Sequence, residues 1–342
     1  MKLKELADAL SLSPTTVSRA LNGYPEVSEA TRKRVIEAAR ASAYQPSSSA
    51  KGLATGKSMS IGHVVPLGHH MMIDPHFADF IAGAGETYAR EGYDMLISVV
   101  PEAEQERAYR ALAASRKVDG MIVHGPKQND PRIALLHDLG VPFIVHGRTS
   151  DPDEDYSWLD INNRRCFRRA TEFLMDLGHR RIALLNGLDE MSFAMRRRTG
   201  FEEAHGARDM TVAPELMFHD EMTEPNGYAR ARQVLGSDMP PSAIMTSSVL
   251  QAIGTVRALR DAGLEPGKDV SVLTHDDRLS FLQEMASVPI FTATRSSIRD
   301  AGRRCAELII GLADDPEGGP VHELWEAELV VGASTGRARE VV

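Results

Sequence analysis

From Ser60 onward, short apolar runs alternate with amphipathic segments of helical length, and this alternation narrows the possible folds more than any other feature. IGHVVP, YDMLISVV, GMIVHG and PFIVHG come first, and RIALLNG, ELMFH, SAIMTS and VSVLTH follow. Strands separated by helical stretches of this length form βαβ units, whose strands lie parallel and bury both faces of a sheet. The runs exceed one comfortable sheet, so we divide them near Asp160 into two doubly wound parallel-sheet lobes. Ligands of open parallel sheets bind beyond the carboxyl ends of the strands. Two lobes facing each other therefore imply a cleft.

The first sixty residues read differently. Leu3, Leu6, Ala7 and Leu10 share one helical face. Ser13 is placed to cap a second helix that begins at Pro14, where the missing N–H costs nothing, and runs to about Leu21. Val17, Ala20 and Leu21 point inward, and Asn22-Gly23 ends the helix. A third helix spans about 28–43, with Val35, Ile36 and Ala39 on its apolar side. Two helices joined by three or four residues form a helix-turn-helix unit. Residues 1–60 hold nine Lys/Arg and five Asp/Glu, a net of +4, whereas the whole chain carries −9 and the remainder therefore −13. A basic head on an acidic body points to a local polyanion partner. On the second helix Thr15 and Arg19 lie four residues apart on one face. Arginine there can take the two acceptors of guanine in the major groove, while Thr16 and Ser18 reach phosphates.

Several other activities lack support in the residues. Gly52-Leu53-Ala54-Thr55-Gly56-Lys57-Ser58 mimics a phosphate-binding loop but has three residues, not four, before Gly-Lys, and no strand precedes it. Gly83-Ala84-Gly85 lies inside a helical pattern, and no nucleophile elbow appears. His69, His70, Asp74 and His76 lack metal-ligand spacing, so no metal and no cofactor are expected. Cys166 and Cys305 are far apart and fit a reducing compartment. With no bilayer-spanning run and no signal-peptide core, the expected location is the cytoplasm, with no membrane partner. No catalytic residue is identified.

The stretch LKELADALSLSPTTVSRALNGYPEVSEATRKRVIEAARASAYQPSSSAKGLATGKSMSIG resembles the amino-terminal segment of the LacI/GalR family of bacterial repressors. T-V-S-R-x-L-N, V-S-x-x-T-R-x-x-V, Tyr-x-Pro and the following A-x-x-L carry the likeness, which continues through LGHRRIALLNG, RRRTGFEEA and DVSVLTHDD. The resemblance implies an α/β chain with an all-α helix-turn-helix head at 1–45, a hinge at 46–59 and a periplasmic-binding-protein-like effector and dimerisation domain at 60–342. Its lobes would take about 60–160 with 293–320, and 161–292 with 321–342. It adds Asn22 and Tyr44 to the DNA-binding set. It also implies a hinge helix that forms on operator DNA, in which Leu53 wedges into the minor groove and Ala50 lets paired hinges touch. Ser47 replaces the common asparagine, and Gly52 lowers helix propensity there. For the effector it implies Arg197 and Asp276 as hydrogen-bonding groups, with His76, Phe77, His146, Arg148, Ser192 and Ser247 around them. Ser247-Ser248, His146-Gly147-Arg148, Asn162-Asn163 and Gly332-Ala333-Ser334 depart from the common family pattern, so the pocket chemistry differs from that of the best-known members. The expected protein is a homodimeric, non-enzymatic repressor of sugar uptake or catabolism, acting on palindromic operator DNA and responding to a mono- or disaccharide. The alternatives are an activator or corepressor-dependent regulator sensing a non-sugar metabolite, and a solute-binding protein.

Overall fold

A computed structural model describes residues 3–21, 23–42, 44, 57–67, 75–149, 155–282 and 288–339. It divides into two compact units, Met1–Met59 and Ser60–Val342. The proposed hinge contacts Ala50 and Leu53, together with Asn22 and the histidines His69 and His70, lie outside the described residues.

In the first unit, helices α1 (Leu3–Leu10), α2 (Pro14–Leu21) and α3 (Glu29–Ala41) enclose a small core of Leu6, Ala7, Val17, Ala20, Val27, Val35 and Ala39. Capping fixes the helix starts. Ser13 Oγ accepts from the Thr16 N–H at 3.0 Å, and Ser28 Oγ accepts from the Thr31 N–H at 3.3 Å. The Arg34 guanidinium donates to the Leu10 carbonyl at 2.7 Å and ties α3 to the end of α1.

The second unit contains two six-stranded sheets. The first is ordered β11-β5-β4-β3-β1-β2, from β1 (Ser60–Pro66), β2 (Asp94–Val100), β3 (Gly120–His124), β4 (Phe143–His146), β5 (Ser157–Ile161) and β11 (His322–Trp325). The second is ordered β12-β10-β9-β8-β6-β7, from β6 (Ile182–Asn186), β7 (Met217–His219), β8 (Ala243–Thr246), β9 (Ser271–Asp276), β10 (Thr292–Arg295) and β12 (Glu328–Val330). All pairings are parallel except that of β10 with β12. The chain crosses between sheets after Ile161, Arg295 and Trp325. Two crossings thus fall one short strand later than the sequence boundaries at 293 and 321, because β10 and β11 must complete their pairing before the chain leaves each sheet.

Helices α4 (Pro75–Glu91), α5 (Gln105–Ser115), α6 (Pro131–Leu139) and α11 (Ile298–Asp314) cover the first sheet. Helices α7 (Asn163–Asp176), α8 (Ser192–Gly206), α9 (Glu224–Leu235) and α10 (Val249–Asp261) cover the second. Glycines let helix backbones meet. A Cβ at Gly83 of α4 would stand 2.0 Å from the Arg299 carbonyl oxygen, and one at Gly302 of α11 would stand 2.1 Å from that of Phe80. This reciprocal approach gives Gly83 of the Gly83-Ala84-Gly85 run a packing role, whereas a Cβ at Gly85 would meet only the Met95 side chain at 3.8 Å. Both obstacles are backbone atoms, so relief requires separating the helices. We therefore expect Gly302→Ala to destabilise the second unit by about 1–3 kcal/mol, read from denaturant unfolding of the full chain. Unchanged stability would refute the close-packing account.

Candidate effector cleft and DNA-reading helix

On α2, Val17 and Ala20 are buried while Thr15 and Arg19 are exposed, so both face away from the head core. The Thr16 hydroxyl is shared with Ser13 Oγ at 2.8 Å. Ser18 is half-buried. Tyr44 packs against the head core, and burial raises its hydroxyl pKa.

Between the sheets of the second unit lies a cleft of about 1070 Å³. The carboxyl ends of β3, β4, β5 and β9 open onto it, as parallel-sheet topology requires. Arg197, in the first turns of α8, is its most constrained group. Only 6% exposed, its guanidinium lies 4.9 Å from the ring centres of both Phe167 and Phe193. Its Nε donates to Asn163 Oδ1 at 2.7 Å and its Nη1 to the Ser247 carbonyl at 2.7 Å. Burial lowers its pKa, opposed by the charges of Asp277, Cys166 and Asp160.

Asp277 follows β9 of the same lobe. Its carboxylate is 3.2 Å from His275 Nε2 and 3.2 Å from His76 Nε2, so it joins the second sheet to the first turn of α4. Burial opposes its ionisation, yet His275 and His76 hold it well below the usual carboxylate range. Burial likewise disfavours the charged form of His275, but Asp277 more than compensates and raises its pKa. On the first sheet, Asp160 accepts from Arg148 Nε at 3.0 Å. Burial raises its pKa against the pull of Arg196 and Arg148. Arg148 also stands 5.0 Å over the Trp158 ring.

Behind this wall runs a file of histidines. His63 Nδ1 is 2.9 Å from His124 Nε2, and His63 Nε2 is 3.1 Å from the Tyr88 hydroxyl. His124 meets Phe77 edge-on at 5.4 Å, and His146 packs on Phe80 at 4.7 Å.

His76, Phe77, His146, Arg148, Ser192 and Arg197 all line the cleft. Ser192, however, is 1% exposed, and its hydroxyl donates to the Pro126 carbonyl at 2.9 Å, which latches α8 to the first sheet. Two of the expected residues are placed differently from the others. Asp276 does not line the cleft; it pairs with Arg295 Nε at 2.9 Å. Alternation along an extended strand puts His275 and Asp277 on one side and Asp276 on the other, so it is Asp277 that lines the cleft. Ser247 is fully buried and turns its hydroxyl to Asn186 Oδ1 at 2.8 Å, offering the site only its carbonyl to Arg197. Sequence reasoning missed Asn163, Asp277, His275 and Asp160. The adjacent pairs Asn162-Asn163 and Asp276-Asp277 were visible, but which member faces inward depends on strand and helix register.

Known proteins share this arrangement of a helical head and a two-lobed cleft. Residues 2–47 match the family described as bacterial regulatory proteins, lacI family, and residues 171–335 match a periplasmic binding protein-like domain. The HTH-type transcriptional regulator AglR of Rhizobium meliloti is 43% identical over 339 residues, 99% of this chain and 95% of the relative. The chain belongs to the lacI family of bacterial regulators. It is accordingly a DNA-binding transcriptional regulator. RafR of Escherichia coli, another HTH-type transcriptional regulator, is 32% identical over 90% of this chain and 91% of its own length. Among solved structures, a transcriptional regulator CelR–cellobiose complex superposes with a TM-score of 0.72 at 27% identity, covering 98% of this chain and 99% of that one. The lac repressor dimer bound to operator and an anti-inducer shares the fold, with a TM-score of 0.80 at 22% identity over 98% of this chain and 99% of that one. No helix among the described residues is long and apolar enough to cross a membrane.

Three of the buried histidines are expected to make folding acid-sensitive. Burial lowers the pKa of His63 to about 3 and that of His146 to about 4, and puts His124 well below its usual value of 6.5. Below pH 6.5 the unfolded chain protonates these rings and the folded chain does not, so stability falls as pH drops toward 4. Each pH unit in that window costs about 1.4 kcal/mol per histidine. His275, shifted upward, contributes fully below pH 6.5 and loses its contribution only as pH rises through its folded value. We expect urea unfolding to show stability declining from pH 6.5 to 4, with a shallower slope in His146→Asn. A flat profile would contradict the buried neutral assignment.

Proposed function

We propose that this regulator is a repressor of genes for carbohydrate uptake or catabolism whose hold on operator DNA is controlled by a small sugar in the cleft. The observation that carries the sugar reading is the preset Arg197 guanidinium. It is fixed by Asn163 and the Ser247 carbonyl between two aromatic faces, and among the described residues nothing engages its Nη2. Fixed charged donors and acceptors beside aromatic rings suit a ligand rich in hydroxyls. Asp277 of the same lobe and Asp160 and Arg148 of the facing wall supply complementary groups, and Phe77 an apolar surface. The cellobiose held by the CelR structure supports this choice.

On the DNA side, Thr15 and Arg19 would read bases in the major groove while Thr16 and Ser18 meet the backbone. Asn22, Tyr44, Ala50 and Leu53 complete the proposed contacts, with the hinge at 46–59. A palindromic operator calls for two heads, and hence a homodimer acting in the cytoplasm. We assign the protein no catalytic role. A sugar that favours one arrangement of the effector unit shifts DNA affinity only by its differential affinity for the two states.

Two results test the proposal. Arg19→Ala should cost about 1–3 kcal/mol on the cognate operator and relax base preference at one position in a site selection. In a gel-shift titration a disaccharide that binds the parent should alter operator affinity about tenfold, within the usual range of allosteric coupling. Unchanged base preference would remove Arg19 from base readout, and operator affinity unmoved by every bound sugar would remove the effector role.

A further inference from the structure

The charges around the cleft specify the effector more closely than carbohydrate alone. Among the described residues, ten carboxylates and five Lys/Arg side chains line it. Four of these cations are already neutralised by carboxylates that line the same cleft. Arg110 holds Glu106 at 2.8 Å, Lys127 holds Glu102 at 2.8 Å and Glu190 at 3.1 Å, Arg132 holds Asp130 at 2.6 Å, and Arg148 holds Asp160 at 3.0 Å. The fifth, Arg197, has Asp277 among the charges acting on it. A phosphate entering this cleft would have to pull a cation from an existing pair and face the surplus carboxylates. A cationic ligand fares little better, because most of the carboxylates are themselves engaged: Asp220 by Arg230 at 2.7 Å, Glu224 by Arg257 at 2.8 Å, and Asp277 by two histidines. Paired charges still present directional donors and acceptors to a hydroxyl, which adds no charge of its own. The volume of about 1070 Å³ reaches the top of the ~300–1,000 Å³ range of small-molecule sites, more room than one sugar ring fills.

We propose, building on the carbohydrate reading, that the effector is an uncharged saccharide of two or more rings, and that the neutralised cations of the cleft wall exclude phosphorylated sugars. The Lys127 link to Glu102 and Glu190 is the clearest gatekeeper, because removing both carboxylates frees a cation that touches no part of the Arg197 clamp. Metabolically, the sugar sensed is one that has not yet undergone phosphoryl transfer.

Calorimetry on the full-length protein tests this with glucose, galactose, maltose, cellobiose, melibiose and trehalose, together with trehalose 6-phosphate, glucose 6-phosphate and glucosamine. The expected result is binding by at least one neutral disaccharide, about tenfold tighter than its component monosaccharide and than any charged sugar. That affinity should change less than about twofold between ~50 and ~500 mM NaCl, since no net charge is transferred. Glu102→Gln combined with Glu190→Gln should raise affinity for the phosphorylated sugars several-fold relative to the neutral disaccharide. A phosphorylated or amino sugar that binds the parent as tightly as the neutral ones overturns the inference while sparing the carbohydrate reading. So does a double variant with no gain for phosphorylated sugars. Binding by none of these sugars, neutral or charged, overturns both.

Discussion

The buried guanidinium of Arg197 is the constraint around which the cleft is organised. An arginine cannot shed its charge at physiological pH, so taking it out of water demands fixed partners. The fold supplies them from three elements: Asn163 at the start of α7, the Ser247 carbonyl at the end of β8, and the rings of Phe167 and Phe193 on either side. Those elements are already tied together by their own packing. The guanidinium plane is therefore set before any ligand arrives, and a ligand that meets it loses less to ordering the site.

Around this fixed point, the walls are joined by polar contacts. Asp277 reaches His76, Asp79 accepts from the Ser280 N–H at 2.6 Å and its hydroxyl at 2.7 Å, and Ser192 donates to the Pro126 carbonyl. Each links a group carried with one sheet to a group carried with the other. Tight helix pairs such as α4 with α11 keep each lobe rigid, while the lobes meet through hydrogen bonds and ion pairs, those of Arg196 with the Arg148 and Thr149 carbonyls and of Lys127 with Glu190 among them, which a bound ligand can rearrange. This is the division of rigidity that hinge or shear motion needs. It gives the cleft a means of passing a binding event to the rest of the chain.

Much of the plan was legible in the sequence because it depends on periodicity. Apolar runs such as GMIVHG and RIALLNG became the fully buried strands β3 and β6, whose burial on both faces leaves no polar alternation to obscure them. The head was equally plain, since Ser13 and Ser28 cap where capping chemistry expects. What escaped were short strands whose apolar run is broken by polar residues. β5 carries a tryptophan and an aspartate, and β10, β11 and β12 hold three or four residues with polar members. Their register comes from neighbours distant in sequence. The site showed the same division. Arg197 was expected at the cleft and lines it, but its partner Asn163 and the inward-facing Asp277 depend on which side of an element each residue occupies, and the Asp276–Arg295 pair shows how a one-residue step reverses that side.

The central claim is that Arg197 and the facing carboxylates hold the effector between the lobes. A crystal structure of the full-length protein with a sugar that calorimetry shows to bind tests it most directly. The account predicts sugar hydroxyls at hydrogen-bonding distance, ~2.7–3.2 Å, from the Arg197 guanidinium and from Asp277 or Asp160, with a ring against Phe77. A sugar bound in full occupancy elsewhere, with the Arg197 guanidinium untouched, would contradict it.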